Sequence, residues 1–436
     1  MKINHASNGL HGELSVPGDK SISHRAVMFG SIASGDTVIR GFLKSADCIS
    51  TMNCFRAMGI EIEEERDEKG DFIRVSGKGI RGLSKPDTPL DCGNSGTTAR
   101  LISGILAGQD FKTVLTGDPS LSRRPMKRII DPLKNLGASI RSEKGNGLLP
   151  LIIEKGKLSG GEIRTRVASA QVKSAILLSG LYAEKETVVI EPALSRNHTE
   201  LMLSAFGADI TGGSADEPKA SVRPCSELRG LEVNVPGDIS SAAYFIGAAL
   251  IVPDSEIVLK NVGINPTRDG ILRVFKDMGA DIKIENERYE SGEKSADLIV
   301  RYSSSLKGVE IGGDIIPTLI DELPLISVVA ATADGETVIR DASELKVKES
   351  NRISLTVNNL KAMGADAEER EDGLLIRGGK ALHRASIETA KDHRIAMSFS
   401  VAALINSDVR PVEILDPSCV GISFPEFYRD MDLLLK

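Results

Sequence analysis

The sequence predicts an α/β protein of two similar globular domains, each assembled from three copies of one small unit. Three observations carry this. A strand-like phrase recurs six times: GDTVIRG (Gly35–Gly41), KTVLTG (Lys112–Gly117), ETVVIE (Glu186–Glu191), SEIVLKN (Ser255–Asn261), ETVIRD (Glu336–Asp341) and PVEILD (Pro411–Asp416). A helix-ending phrase with Gly before a new strand recurs five times, as MGIEI from Met58, LGASI from Leu136, FGADI from Phe206, MGADI from Met278 and MGADA from Met363. Each strand phrase also follows an Ala-rich apolar run, and these runs begin at Lys20, Asn94, Ala168, Asp238, Asp321 and Asp392, spaced 74, 74, 70, 83 and 71 residues apart. Self-similarity at a near-constant period means one supersecondary unit copied along the chain.

Within a unit the expected order is helix, strand, helix, strand, strand. The first helix is the Ala-rich run, such as KSISHRAVMFGSIA or DISSAAYFIGAALIV, apolar along its length and therefore buried, with a capping polar residue at its amino end. The strand phrase is rich in Thr, Val and Ile, which suit a pleated, half-buried surface. The Gly after the second helix supplies a left-handed C-cap. From Asp392 to Lys436 there is room only for helix, strand and helix, so KINHAS and GELSV at the amino end are expected to pair into the last unit and close the chain. VPGD occurs twice, at Val16–Asp19 and Val235–Asp238, each time directly before a repeat helix, where Pro and Gly suit a sharp turn. These are the expected hinges, dividing the chain into a domain of residues 20–236 and a second of residues 1–19 plus 237–436. A solenoid is the rival for six units, but mixed α/β units of about 70 residues and a doubled hinge favour two globular domains.

Composition narrows the function. With 41% hydrophobic and 26% charged residues, the chain fits neither a disordered nor a membrane protein. Its longest strongly apolar stretch, Ala242–Val252, stops at Pro253, short of a bilayer span, and MKINHASNGL has no signal-like apolar core. A cytoplasmic protein is expected. Lys plus Arg number 54 against 61 Asp plus Glu, a net charge of −7, so the overall field invites neither nucleic acid nor an anionic membrane. Any anionic ligand requires a local cationic cluster. Five scattered cysteines with no CxxC pair suggest neither a disulfide framework nor a zinc site. GKGIRG (Gly77–Gly82) runs into the prolines of SKPDTP and reads as a turn rather than a dinucleotide fingerprint; GxxxxGK[ST] and GxSxG do not occur.

The polar residues gather at the heads of the apolar helices: Lys20, Ser21, Arg25, Asn94, Arg100, Ser169, Gln171, Asp321, Asp392 and Arg394. If three helix amino ends per domain face an interdomain cleft, their free N–H groups and dipoles converge there and favour anions. Arg124, Arg196, Lys348 and Arg352 add charge, which would suit multiply charged phosphate or carboxylate ligands. Taken singly, each has a plainer reading. Ser, Asn or Asp at a helix start is an ordinary cap; KVKESNR is a solvated helix face; His24, His198 and His393 hold structure, and no paired His spacing indicates a metal.

Taken in order, PGDKSISHR, CGNSGTTAR, SRRPMKR, SAQVKSA, IDELP, KVKESNR, DHRIAMS and SFPEF resemble the 5-enolpyruvylshikimate-3-phosphate synthases across essentially the whole chain, closer to the bacterial class II form than to class I. The resemblance implies two domains of three βαβαββ units each, in the inside-out α/β barrel arrangement of the enolpyruvyl transferases. It implies transfer of the enolpyruvyl group of phosphoenolpyruvate to the 5-hydroxyl of shikimate 3-phosphate through a tetrahedral intermediate, with release of phosphate and with no metal or organic cofactor. The two substrates together bring roughly five to six negative charges into one site. Carried over by motif, Lys20, Ser21, Arg25, Ser169, Ala170, Gln171, Arg196, Asp321 and Lys348 are implied to bind shikimate 3-phosphate. Lys20, Asn94, Gly96, Arg124, Gln171, Arg352 and Arg394 are implied to bind phosphoenolpyruvate. Asp321 is implied to take the proton of the 5-hydroxyl, and Glu349, with Lys20, to handle the proton at the methylene carbon.

Class I members carry a Lys shortly before the FP of the closing motif, where this chain has Ile422 and Ser423, so that contact does not transfer. Gly96 stands where glyphosate-insensitive members include Ala, so inhibition by glyphosate is expected. A monomer is the family expectation. The related UDP-N-acetylglucosamine enolpyruvyl transferases usually carry a cysteine in a PGGC-like loop and a Lys-Asn pair near the start. Here Lys20 is followed by Ser21, and none of the five cysteines lies in such a loop. A non-catalytic anion-binding protein on the same scaffold is the other alternative, disfavoured because binding anions alone would exclude Asp321 and Glu349 from the site.

Overall fold

Six apolar helices carry the architecture: α1 (Lys20–Ile32), α2 (Gly96–Leu106), α3 (Ala170–Gly180), α4 (Ile239–Ile251), α5 (Leu323–Thr332) and α6 (His393–Ala403). The computed structural model describes residues 1–408 and 410–436. All of α4 is buried, and α1 is buried from Ile22 onward. Their Ala and Gly content lets backbones approach: a Cβ on Gly104 of α2 would lie 2.2 Å from the Ala175 carbonyl of α3. Asp19, Ser95, Asp238 and Asp392 cap α1, α2, α4 and α6 by accepting a backbone N–H. Capping by side chain was expected at all six, but Ser169 and Glu322 make no such bond at α3 and α5. The five Gly residues after the second helices (Gly59, Gly137, Gly207, Gly279 and Gly364) all sit at positive φ, between 83° and 99°.

The six strand phrases become six strands, and each lies between one parallel and one antiparallel neighbour. In the first sheet Ser34–Arg40 runs parallel to Glu232–Asn234 and antiparallel to Gly70–Lys78. The same arrangement surrounds Thr113–Thr116, Thr187–Ile190, Glu256–Gly263, Glu336–Ile339 and Val412–Ile414. Around α2, α3, α5 and α6 the parallel neighbour is the strand just before the helix, forming a local βαβ crossover. At α1 and α4 the strands are exchanged. His11–Leu14, which precedes α1, pairs with Glu256–Leu259 after α4; Glu232–Asn234, which precedes α4, pairs with Val38–Arg40 after α1.

This corrects the expected closure of the chain. Only Lys2–Ile3 joins the last repeat, antiparallel to Val412–Glu413. GELSV joins the fourth repeat instead, and the last sheet stays at three strands. The reason is the missing edge: the strand before α4 is taken by the first sheet, which leaves Glu256–Gly263 without a parallel neighbour.

The chain forms two units. The first comprises Gly18–Pro236 with Tyr289–Glu293; the second comprises Met1–Pro17, Gly237–Arg288 and Lys294–Lys436. Both main boundaries fall between Pro and Gly of a VPGD phrase, and a side chain at Gly18 would lie 1.9 Å from the Gly41 carbonyl. Gly18 and Asp19, and the short segment Tyr289–Glu293, depart from the sequence-based division, which places residues 1–19 and everything after residue 236 together. Each unit has its own apolar core, built from its three long helices and the inward faces of its sheets. Among the described residues, no single helix is long and apolar enough to cross a membrane, and no group of three His, Cys, Asp or Glu is placed to hold a metal ion.

Candidate active site

In the first unit, the residues singled out from the sequence meet at the heads of α1, α2 and α3. Arg25, one turn into α1, is 3% exposed; Nε donates to Thr199 Oγ1 at 2.7 Å, Nη2 to Ser174 Oγ at 2.8 Å and Nη1 to the Ser21 carbonyl at 3.0 Å. Burial pulls its guanidinium down to about 10, against the attraction of Glu200, so it stays charged at neutral pH. Lys20, in the first turn of the same helix, pairs its ammonium with Asp47. Burial pushes the Asp47 carboxyl up, but the charge and hydrogen bond of Lys20 outweigh it and hold the group below its usual value.

Arg124 donates to Asn94 Oδ1 at 2.7 Å, and the Asn94 amide is oriented in turn by Asp118 at 2.6 Å. Arg100 donates to Gln171 Oε1 at 2.6 Å, while Gln171 Nε2 donates to Thr97 Oγ1 at 3.0 Å, tying α2 to α3. Burial, then Arg128 and Arg124, bring Arg100 down to about 10. A Cβ at Gly96 would lie 2.9 Å from Arg100 Nη1 and 3.5 Å from Arg124 Nη1. Ser169 and Ala170 open α3, and Arg196 lies half-buried just before the helix His198–Ala205.

In the second unit, Asp321 lies among three cations. Lys348 Nζ is 3.7 Å away, Arg352 Nη1 3.4 Å and Arg394 Nη2 3.7 Å. Arg352, 1% exposed, also bonds Asp392 through Nε at 2.8 Å and Glu349 through Nη2 at 2.6 Å. Burial pushes the Glu349 and Asp392 carboxyls up; the guanidinium of Arg352 overrides it, so both lie below the ordinary carboxylate range and are ionised at neutral pH. Burial, followed by Arg394, pushes His393 down to about 4, leaving it neutral. Arg394 also faces Glu322 Oε1 at 3.5 Å, and that carboxylate accepts the hydroxyl of Ser240.

KVKESNR does not form the solvated helix face that is its plainer reading: Ser343–Val347 is a short 3-10 turn, Lys348–Asn351 a loop, and the helix begins at Arg352. Lys348 and Glu349 thereby reach Asp321 and Arg352 from a turn instead of pointing to solvent. Sequence reasoning missed Asp47, Ser174, Glu191, Thr199, Ser240 and Glu322. The hydroxyls look like any helix Ser or Thr, and Asp47 like a first-turn helix acid. Glu191 closes a repeated strand phrase, and Glu322 is hidden beside the more conspicuous Asp321.

A family model described as EPSP synthase (3-phosphoshikimate 1-carboxyvinyltransferase) matches residues 5–431. The chain is 53% identical to a 3-phosphoshikimate 1-carboxyvinyltransferase of Thermoanaerobacter sp. strain X514, over 98% of each sequence. It is 49% identical to the protein of the same name from Bacillus velezensis, again over 98% of each. Among solved structures, an EPSP synthase from Acinetobacter baumannii matches with a TM-score of 0.91 at 44% identity, covering 99% of this chain and 97% of that one.

Proposed function

We infer the reaction from the premise that this chain belongs to the EPSP synthase family: it transfers the enolpyruvyl group of phosphoenolpyruvate to the 5-hydroxyl of shikimate 3-phosphate and releases phosphate. The observation that carries the residue roles is the setting of Asp321, a carboxylate within 4 Å of three cations on two separate stretches of chain. Two of those cations, Arg352 and Arg394, would take the phosphate and carboxylate of phosphoenolpyruvate. As they turn toward the substrate, Asp321 loses stabilising partners and its basicity rises, which suits a group that must take a proton from a hydroxyl.

In the proposed sequence, Asp321 accepts the 5-hydroxyl proton while the oxygen attacks C2 of phosphoenolpyruvate and the methylene carbon takes a proton from Lys20 or from a protonated Glu349. The resulting tetrahedral intermediate then loses a methyl proton and expels phosphate. The guanidinium of Arg352 holds the Glu349 carboxyl below its usual range, which favours the ionised form at neutral pH. Glu349 is therefore set to take the methyl proton in the second half of the reaction, and it donates in the first half only after being protonated itself. Lys20, Ser21, Arg25, Ser169, Ala170, Gln171, Arg196 and Lys348 would hold shikimate 3-phosphate; Lys20, Asn94, Gly96, Arg124 and Gln171 would complete the phosphoenolpyruvate contacts. Domain closure around the substrates, a monomeric state, a cytoplasmic setting and inhibition by glyphosate belong to the same reading.

The test is phosphate release from phosphoenolpyruvate in the presence of shikimate 3-phosphate, repeated with UDP-N-acetylglucosamine. Release with the shikimate compound alone supports the proposal. Release with the sugar nucleotide, or binding without release, overturns it.

A further inference from the structure

Glu191, which the proposed mechanism does not use, follows the strand Thr187–Ile190 and is 4% exposed. Its Oε1 accepts the backbone N–H of Ser169 at 3.1 Å. Its Oε2 accepts the N–H of Ser195 at 3.4 Å and the Ser195 hydroxyl at 2.9 Å. Lys173, also fully buried, places its ammonium 3.1 Å from the same Oε2, 2.8 Å from Glu200, and donates to the Ser195 carbonyl at 3.1 Å. One buried carboxylate thus joins two segments distant in sequence, the head of α3 and the turn before His198–Ala205.

Those segments carry Ser169, Ala170 and Gln171 on one side and Arg196 on the other. A negative charge behind a phosphate site opposes binding electrostatically, so attraction does not explain a carboxylate at this position. Geometry does. Two carboxylate oxygens can serve the Ser169 amide, both donors of Ser195 and the Lys173 ammonium together, whereas an amide side chain offers one acceptor oxygen. The Ser169 hydroxyl makes no capping bond to α3, and Lys173 offsets the charge that Glu191 introduces.

We propose that Glu191 is a positioning residue, holding Ser169 and the Ser195–Arg196 turn at the separation that the phosphate of shikimate 3-phosphate requires. The inference rests on the assignment of Ser169, Gln171 and Arg196 to that phosphate. Its test is Glu191→Gln, with shikimate 3-phosphate titrated by calorimetry without phosphoenolpyruvate, alongside steady-state kinetics for both substrates. The expected result is a rise of about tenfold or more in Kd and KM for shikimate 3-phosphate, the scale of one lost charge-assisted hydrogen bond. KM for phosphoenolpyruvate should stay within about twofold, a split that general loosening of the fold would not produce.

Ser195→Ala removes one donor alone and covers the case in which Glu191→Gln does not fold. It should raise KM for shikimate 3-phosphate by about threefold, the lower range for a single hydrogen bond. Wild-type affinity in the folded variants, or an equal loss for both substrates, overturns the positioning role while leaving the reaction intact. A wild-type protein that fails to bind shikimate 3-phosphate overturns both.

Discussion

The two units hold their cations in opposite ways. In the first, the guanidinium of Arg25 rests on two hydroxyls and a carbonyl, that of Arg100 on the Gln171 amide and that of Arg124 on the Asn94 amide. In the second, Arg352 rests on Asp392 and Glu349, Arg394 on Asp321 and Glu322, and Lys348 on Asp321 and Glu344. Neutral partners orient a cation without cancelling its charge, so the first unit keeps positive potential for an anionic ligand. Carboxylate partners offset the charge and supply groups that can move protons. Lys20, paired with Asp47, and Lys173, paired with Glu191 and Glu200, are exceptions in the first unit.

The largest expected effect breaks the second unit's side of this contrast. Asp321→Ala should lower turnover on the order of 10³-fold, the range for removal of a general base. Shikimate 3-phosphate affinity, measured by equilibrium titration, should largely survive. Normal turnover would remove Asp321 from the mechanism.

Stability separates the two kinds of arginine next. Arg352→Ala leaves Asp392 buried without its counter-charge and should cost about 3–5 kcal/mol in denaturant unfolding. Arg25→Ala leaves Thr199 and Ser174 bonded to each other at 2.7 Å and should cost about 1 kcal/mol, while weakening shikimate 3-phosphate binding far more. Equal losses of stability would erase the distinction.

A third test concerns a buried neutral base beside the first unit's cations. Burial, then Lys20, pushes His24 down to about 3, and its Nδ1 meets Thr51 Oγ1 at 2.7 Å. Between pH 6.5 and 3 the unfolded chain binds a proton there that the folded chain does not, so stability rises with pH and falls on acidification. The contribution is about 2 kcal/mol between pH 7 and pH 5, and His24→Gln should flatten the unfolding free energy across that window by this amount. An unchanged pH dependence would refute it.

The smallest change is a single methyl. Gly96→Ala places a carbon against Arg100 Nη1, a flexible side-chain end that can yield. Catalysis with phosphoenolpyruvate should persist, with KM raised by a few-fold, on the scale of about 1 kcal/mol. Glyphosate inhibition should weaken by about tenfold or more in a competition assay, roughly 1.4 kcal/mol of differential fit. Equal sensitivity of the wild-type protein and the Gly96→Ala variant would contradict the crowding argument.

Much of the architecture was legible because it repeats. The strand phrases occupy the same structural place in all six repeats and the capping glycines in the first five, since period and C-cap chemistry are local properties. The pairing of His11–Leu14 was not legible: alternation identifies a strand, but its partner depends on which sheet lacks an edge. The site was partly legible through its motifs, which name the cations and carboxylates without saying how each is held. Thr199 and Ser174 carry no signal, because a helix hydroxyl looks the same whether it caps, faces solvent or receives an arginine.

The sequence by itself determined the six repeats, the burial of their first helices and the concentration of charge at the helix heads, all of which follow from apolar pattern and backbone propensity. Only the tertiary structure decided what each charge rests on. Arg25 finds Thr199 across 174 residues, and Arg352 finds Asp392 across 40. Such pairings depend on hydrogen-bond distances and angles between distant segments, which no local pattern encodes.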